Sequence, residues 1–75
     1  MKMSLDLFRI LMSNGVMLDA MLDEYGEDAM KSVLVEYVNE MNNESDEDLK
    51  SEFLFYEEED EVVLRKLGFE NLIAE

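Results

Sequence analysis

Apolar side chains recur at helical spacing along most of this chain. Leu5, Phe8 and Met12 stand three and then four residues apart, with Leu7 and Leu11 beside them. That spacing predicts a first helix, capped by Ser4 and running to about Ser13, with SNG at 13–15 as its end. Leu18, Met21, Leu22 and Tyr25 mark the apolar face of a second helix, which Gly26 interrupts or ends. Met30, Val33, Leu34, Tyr37, Val38 and Met41 then repeat at i, i+3, i+4, i+7, i+8 and i+11, a stripe that lines one side of a third helix. Glu27, Asp28 and the pair Glu27 to Lys31 suit its first turn. MNNES closes it with residues that favour caps and turns.

The remainder is less uniform. Ser45 and Asp48 resemble a capping box. Beyond them Leu49, Phe53, Tyr56, Val63, Leu64 and Leu67 share a helical face, and Asp60 is the polar residue that breaks the stripe. The pattern predicts one long helix over about 46–67, with a break near the acidic run EEEDE at 57–61 left open. Gly68 followed by Phe69 has the form of a Schellman end, in which Phe69 folds back on the last turn. The tail ENLIAE adds one short turn. Alternatively, EFLFY and EVVLRKL form a hairpin over about 52–66, since aromatic and β-branched residues favour strands. The link EEED lacks the Gly, Asn or Pro of a tight turn, and glutamate is a good helix former, so the helix is preferred. The expected architecture is all-α, a single domain over residues 1–75 with about four helical segments in a small bundle. The alternative is α+β with that C-terminal hairpin.

A chain of 75 residues buries only about 60% of its unfolded surface, so its core is marginal without help. There is no cysteine and no histidine, which removes disulfide staples and thiolate or imidazole metal sites and fits a reducing cytoplasm. Self-association is the remaining aid, and a homodimer is expected. The opening MKMSLDLFRILMS has the early lysine and apolar stretch of a signal peptide, but Asp6 and Arg9 interrupt it. Its apolar runs are too short for a signal core or a spanning helix, so an unexported, cytoplasmic protein without a membrane partner is expected.

Enzyme chemistry is disfavoured by elimination. A nucleophile needs an activating base, and the chain offers no His, no Cys and no glycine-rich phosphate loop. Paired carboxylates need a cleft that a domain this small rarely encloses. Read as a calcium loop from Asn42, NNESDEDLKSEF places Glu47 where the turn requires glycine and Phe53 where a bidentate glutamate belongs. No metal or cofactor is expected. The seven methionines fall mostly on apolar helical faces and act as adaptable core filler.

Charge changes the picture most. Twenty acidic against six basic residues leave a net charge of −14, which repels nucleic acid itself and anionic membranes and attracts basic partners. Residues 44–61 hold ten carboxylates against Lys50 alone, nine of the fourteen net negative charges. On a helix this segment would span about 27 Å, one net charge per roughly 3 Å, within a factor of two of the roughly 1.7 Å per charge of B-DNA. The concentration has a cost, because Glu57 and Glu61 are like charges at i and i+4, only partly offset by Glu61 to Arg65 and Asp46 to Lys50. Beside it FLFY, 53–56, would point in nearly every direction on a helix, leaving at least one side chain for solvent or another chain.

In its small, cysteine-free, strongly acidic and helical profile the chain resembles the DNA-mimic inhibitors that phages and mobile elements use against DNA-binding proteins and nucleases. This is a likeness of composition and covers no specific motif. It implies a non-enzymatic inhibitor or modulator that occupies the basic surface of a nucleic-acid-binding protein. The candidate contact residues are Asp46, Glu47, Asp48, Glu57, Glu58, Glu59, Asp60 and Glu61, with Phe55 or Tyr56 as an apolar anchor. The other expectation is a structural or adaptor module whose helices assemble with a twin or a partner subunit, its charge serving solubility alone.

Overall fold

The computed structural model describes residues 2–74. Among these residues five α-helices succeed one another: α1 Leu5–Ser13, α2 Leu18–Tyr25, α3 Glu27–Asn43, α4 Glu47–Ser51 and α5 Glu58–Leu67, with a 3₁₀ turn at Glu70–Leu72. The fold is all-α, and no strand forms among the described residues.

The first three helices start and stop where their patterns predict. Ser4 accepts a hydrogen bond from the Leu7 N–H at 3.1 Å and so caps α1. Its far end closes when the Val16 N–H reaches the Leu11 carbonyl at 3.0 Å around Gly15. Between α2 and α3 there is one residue, Gly26, whose φ of 90° and ψ of 164° lie in a region open essentially to glycine alone. It ends one helix by donating to Leu22 and begins the next by accepting from Met30. On α3 the predicted stripe is the buried stripe: Met30, Val33, Leu34, Tyr37 and Met41 all face the core, and Val38 is half-buried.

The core forms where α3 packs on α1 and α2, and α5 packs on α2. Phe8, Leu18, Met21, Met30, Val33, Leu34, Leu64 and Leu72 are essentially inaccessible, each large aliphatic or aromatic side chain contributing about 1.5–3 kcal/mol of burial. Met3, Met21, Met30 and Met41 are core residues, the last three as their helical spacing predicts.

The long helix over 46–67 does not form. α4 stops at Ser51 after five residues, residues 52–57 belong to no helix, and the acidic run starts a separate one. The hairpin is absent as well, yet its premise holds in part. Residues 53–56 lead into an extended stretch in which the Phe55 N–H donates to the Leu72 carbonyl at 2.8 Å and the Ala74 N–H donates to the Phe55 carbonyl at 2.9 Å. The aromatic segment thus makes an isolated parallel bridge to Ile73 and does not pair with residues 61–67. Gly68 closes α5 as its sequence predicts: at φ 87° it lets the Phe69 N–H reach the Leu64 carbonyl at 2.8 Å. The tail contributes its short turn and its own side of the bridge.

Candidate protein-binding surface

The candidate carboxylates all lie at helix starts. Asp46 caps α4, accepting from the Asp48 N–H at 2.9 Å and from the Leu49 N–H at 3.5 Å. The cap is therefore Asp46, not the Ser45 of the expected capping box, and Asp48 contributes its backbone and leaves its side chain in solvent. Glu44 braces the turn by accepting from the Asp46 N–H at 3.2 Å. Glu57 takes the cap position of α5, and Glu58, Glu59, Asp60 and Glu61 fill its first turn, while Arg65 and Lys66 occupy its last. Negative charge at the N-terminus and positive charge at the C-terminus complement the helix dipole, so part of the like-charge cost of EEEDE is returned locally. The pairs expected to relieve it do not close: among the described residues the ion pairs are Lys31–Glu27 at 3.0 Å and Arg9–Glu40 at 3.8 Å.

Five of the eight acidic candidates, Glu47, Asp48, Glu57, Glu58 and Glu59, are exposed and make no ion pair among the described residues. Asp46 is exposed but engaged as a cap, and Glu61 is half-buried. Asp60 is different in kind. It is 7% exposed and accepts a hydrogen bond at 3.1 Å from the Leu18 N–H, the first residue of α2. α2 is preceded by Met17, which has no side-chain oxygen to cap it, and Asp60 supplies the acceptor from another helix. Burial raises the Asp60 carboxyl above its ordinary range; the Leu18 bond opposes this, and the charges of Asp19 and Glu59 add to it. Asp60 belongs to the α2–α5 contact and is withdrawn from any surface available to a partner.

The aromatic candidates also separate. Phe55 is half-buried, its ring 5.8 Å from that of Tyr37, and Tyr56 is 70% exposed, so of the two candidates Tyr56 is the accessible one. Tyr37 is the hub of a cluster: its ring meets Phe8 edge-on at 5.3 Å and Phe53 at 5.1 Å, and its hydroxyl donates to the Phe53 carbonyl at 2.8 Å. Its burial pushes the phenol up to about 12, against the lowering effect of Arg9. The charge pattern draws attention to 55–61 and away from Leu49 and Val62, which are 48% and 68% exposed; apolar residues left outside a core are visible only once the core is known.

No group of three or more acidic side chains among the described residues is placed to hold a metal ion, and no described helix is long and apolar enough to cross a membrane. Set against family models, curated proteins and solved structures, the chain matches none.

Proposed function

We propose that the protein is a non-enzymatic binding module that lays its carboxylates on the basic surface of a nucleic-acid-binding protein and occupies it in place of nucleic acid. Such a module would serve as an inhibitor or modulator of the phage or mobile-element type, acting in the cytoplasm. The carrying observation is charge density on a firm frame. Fourteen net negative charges are carried on 75 residues in a body with a long axis of 33 Å, and five of the eight candidate carboxylates are exposed without an ion pair among the described residues. Glu47, Asp48, Glu57, Glu58 and Glu59 stand exposed at the starts of two helices. Association would be fast and steeply salt-dependent. The test is retention of lysate proteins on the immobilised chain, with competition by nucleic acid. Nucleic-acid-binding proteins should be held at low salt, released between about 50 and 200 mM, and displaced by duplex DNA. Retention of none at low salt, or indifference to DNA, refutes the proposal.

A second reading is favoured by Tyr56 and Val62, which stand 70% and 68% exposed on either side of the acidic run. An adaptor that docks on a partner subunit or a twin through these two side chains would use the carboxylates for solubility alone. In that case reversing Glu57, Glu58 and Glu59 to lysine leaves partner binding intact, and Tyr56→Ser with Val62→Ser abolishes it.

A further inference from the structure

We infer that the open cleft between the end of α1, α3 and α4 receives an apolar side chain carried on a basic, amphipathic helical segment of the partner. The inference deepens the acidic-surface proposal and rests on it.

The cleft has a volume of about 400 Å³. Its apolar lining is Met12, Tyr37, Leu49 and Phe53, and Glu44 and Glu52 stand in the same wall. The floor is organised in advance, because Tyr37 is wedged between the Phe8 and Phe53 rings and tied to the Phe53 carbonyl at 2.8 Å. A guest therefore costs little ordering of the site. Leu49 has no role in the core: α4 contributes no buried residue at all, and this leucine is 48% exposed.

Charge selects the occupant. Arg9 is the cation of the lining and is already engaged, 3.8 Å from Glu40 with its guanidinium 5.9 Å from the centre of the Phe53 ring. Glu44 and Glu52 remain, with Asp46, Glu47 and Asp48 on the adjoining cap and first turn against the single Lys50 in the last. Nucleic acid carries the wrong sign, and a second copy of this chain would set another −14 against the first. A neutral small molecule gains little in a cleft this open. A helix with apolar residues at i and i+3 or i+4 and lysine or arginine on its flanks meets both the floor and the walls.

The probe is a synthetic amphipathic helical peptide of Leu and Lys, compared with a scrambled peptide of the same composition that has no apolar stripe. Both are titrated into the intact, isotope-labelled protein by NMR, with affinities from calorimetry. The patterned peptide should bind about tenfold tighter than the scrambled one and shift the amides of Met12, Leu49 and Phe53 most. Leu49→Arg should erase that advantage, and Leu49→Ala should reduce it about fivefold, both variants keeping the wild-type circular dichroism and melting curve. Reversing Glu57, Glu58 and Glu59 to lysine should weaken both peptides alike.

Equal binding of the two peptides, an advantage that survives Leu49→Arg, or shifts centred elsewhere overturns the inference and leaves the acidic-surface proposal standing if binding is salt-dependent. Binding of neither peptide at low salt defeats both. A concentration-dependent dimer whose contacts fall on Leu49 gives the cleft to a second copy and overturns it too.

Discussion

Residues 46–48 and 57–61 both crowd carboxylates at a helix start, yet Asp46 turns back on its own helix while Asp60 reaches across to α2. The difference lies in the apolar residues that each helix carries. α5 brings Val63, Leu64 and Leu67 into the core, and docking those three on α2 carries Asp60 inward with them, since residues three and four apart share a helical face. α4 has only Leu49 to offer and stays on the surface. Acidic composition therefore fixes neither exposure nor role; the apolar register of the same helix decides both.

The contrast breaks most visibly at the paired leucines. Leu64→Ala should cost about 2–5 kcal/mol in urea unfolding, and Leu49→Ala within about 0.5 kcal/mol of zero; similar losses would mean that α4 is part of the core. Next come the caps. Asp60→Ala leaves the buried Leu18 N–H without an acceptor and should cost about 1–2 kcal/mol, whereas Asp60→Asn, which keeps an oxygen for that N–H, should recover most of it. Asp46→Ala, exposed and local, should lie at the low end of the cap range, about 0.5–1 kcal/mol.

Removing the Tyr37 hydroxyl should cost about 1 kcal/mol. It also tests a pH limb. The folded phenol titrates near 12 against an ordinary value of 10.0, so the folded state holds this proton more tightly and stability falls as pH rises from 10 toward 12. Melting temperatures of Tyr37→Phe should lack that fall.

The smallest expected effect sits at acid pH. Because the folded Asp60 carboxyl is raised, its favourable contribution is complete below the unfolded value of 3.8 and is lost as pH rises through the folded one. Mild acidification from neutrality should therefore raise stability, and Asp60→Asn should flatten part of that rise. An identical pH profile in the variant would show that general charge repulsion accounts for all of it.

Much of the fold is legible in the residues because the first three helices obey one signal at a time. Ser4, Gly15 and Gly26 punctuate unambiguous stripes, and Gly68–Phe69 does the same for α5. Residues 52–57 defeat pattern reading because two signals coincide there: Phe53 and Tyr56 fit a helical stripe, but the alternation of Phe53 and Phe55 is what Tyr37 and the tail at Leu72–Ala74 actually bind. Tertiary pairing overrides local propensity. Asp60 is half legible. A polar residue on an apolar stripe must find a partner when buried, and Val16–Met17 before Leu18 is a helix start with no cap of its own. Neither sign alone joins the two. The exposed carboxylates at 47, 48 and 57–59 are evident from composition, while the cleft at Leu49 and Phe53 depends on a chain reversal that no short window of sequence records.

The bond from Leu18 to Asp60 also bears on the order in which the chain becomes native. Helices of eight residues, the length of α2, are not stable alone in water, and this one receives its cap from a residue 42 positions later. The α2 cap is thus complete only when α5 is docked, and Phe55 pairs with a segment later still in sequence, the tail at Leu72–Ala74. A mostly helical protein would ordinarily fold through near-neighbour contacts and do so quickly. Here the closing contacts span long stretches of chain, so a chain truncated before α5, which lacks Val63, Leu64, Leu67, Leu72 and Ile73 of the core, should lose the start of α2 and its cooperative unfolding.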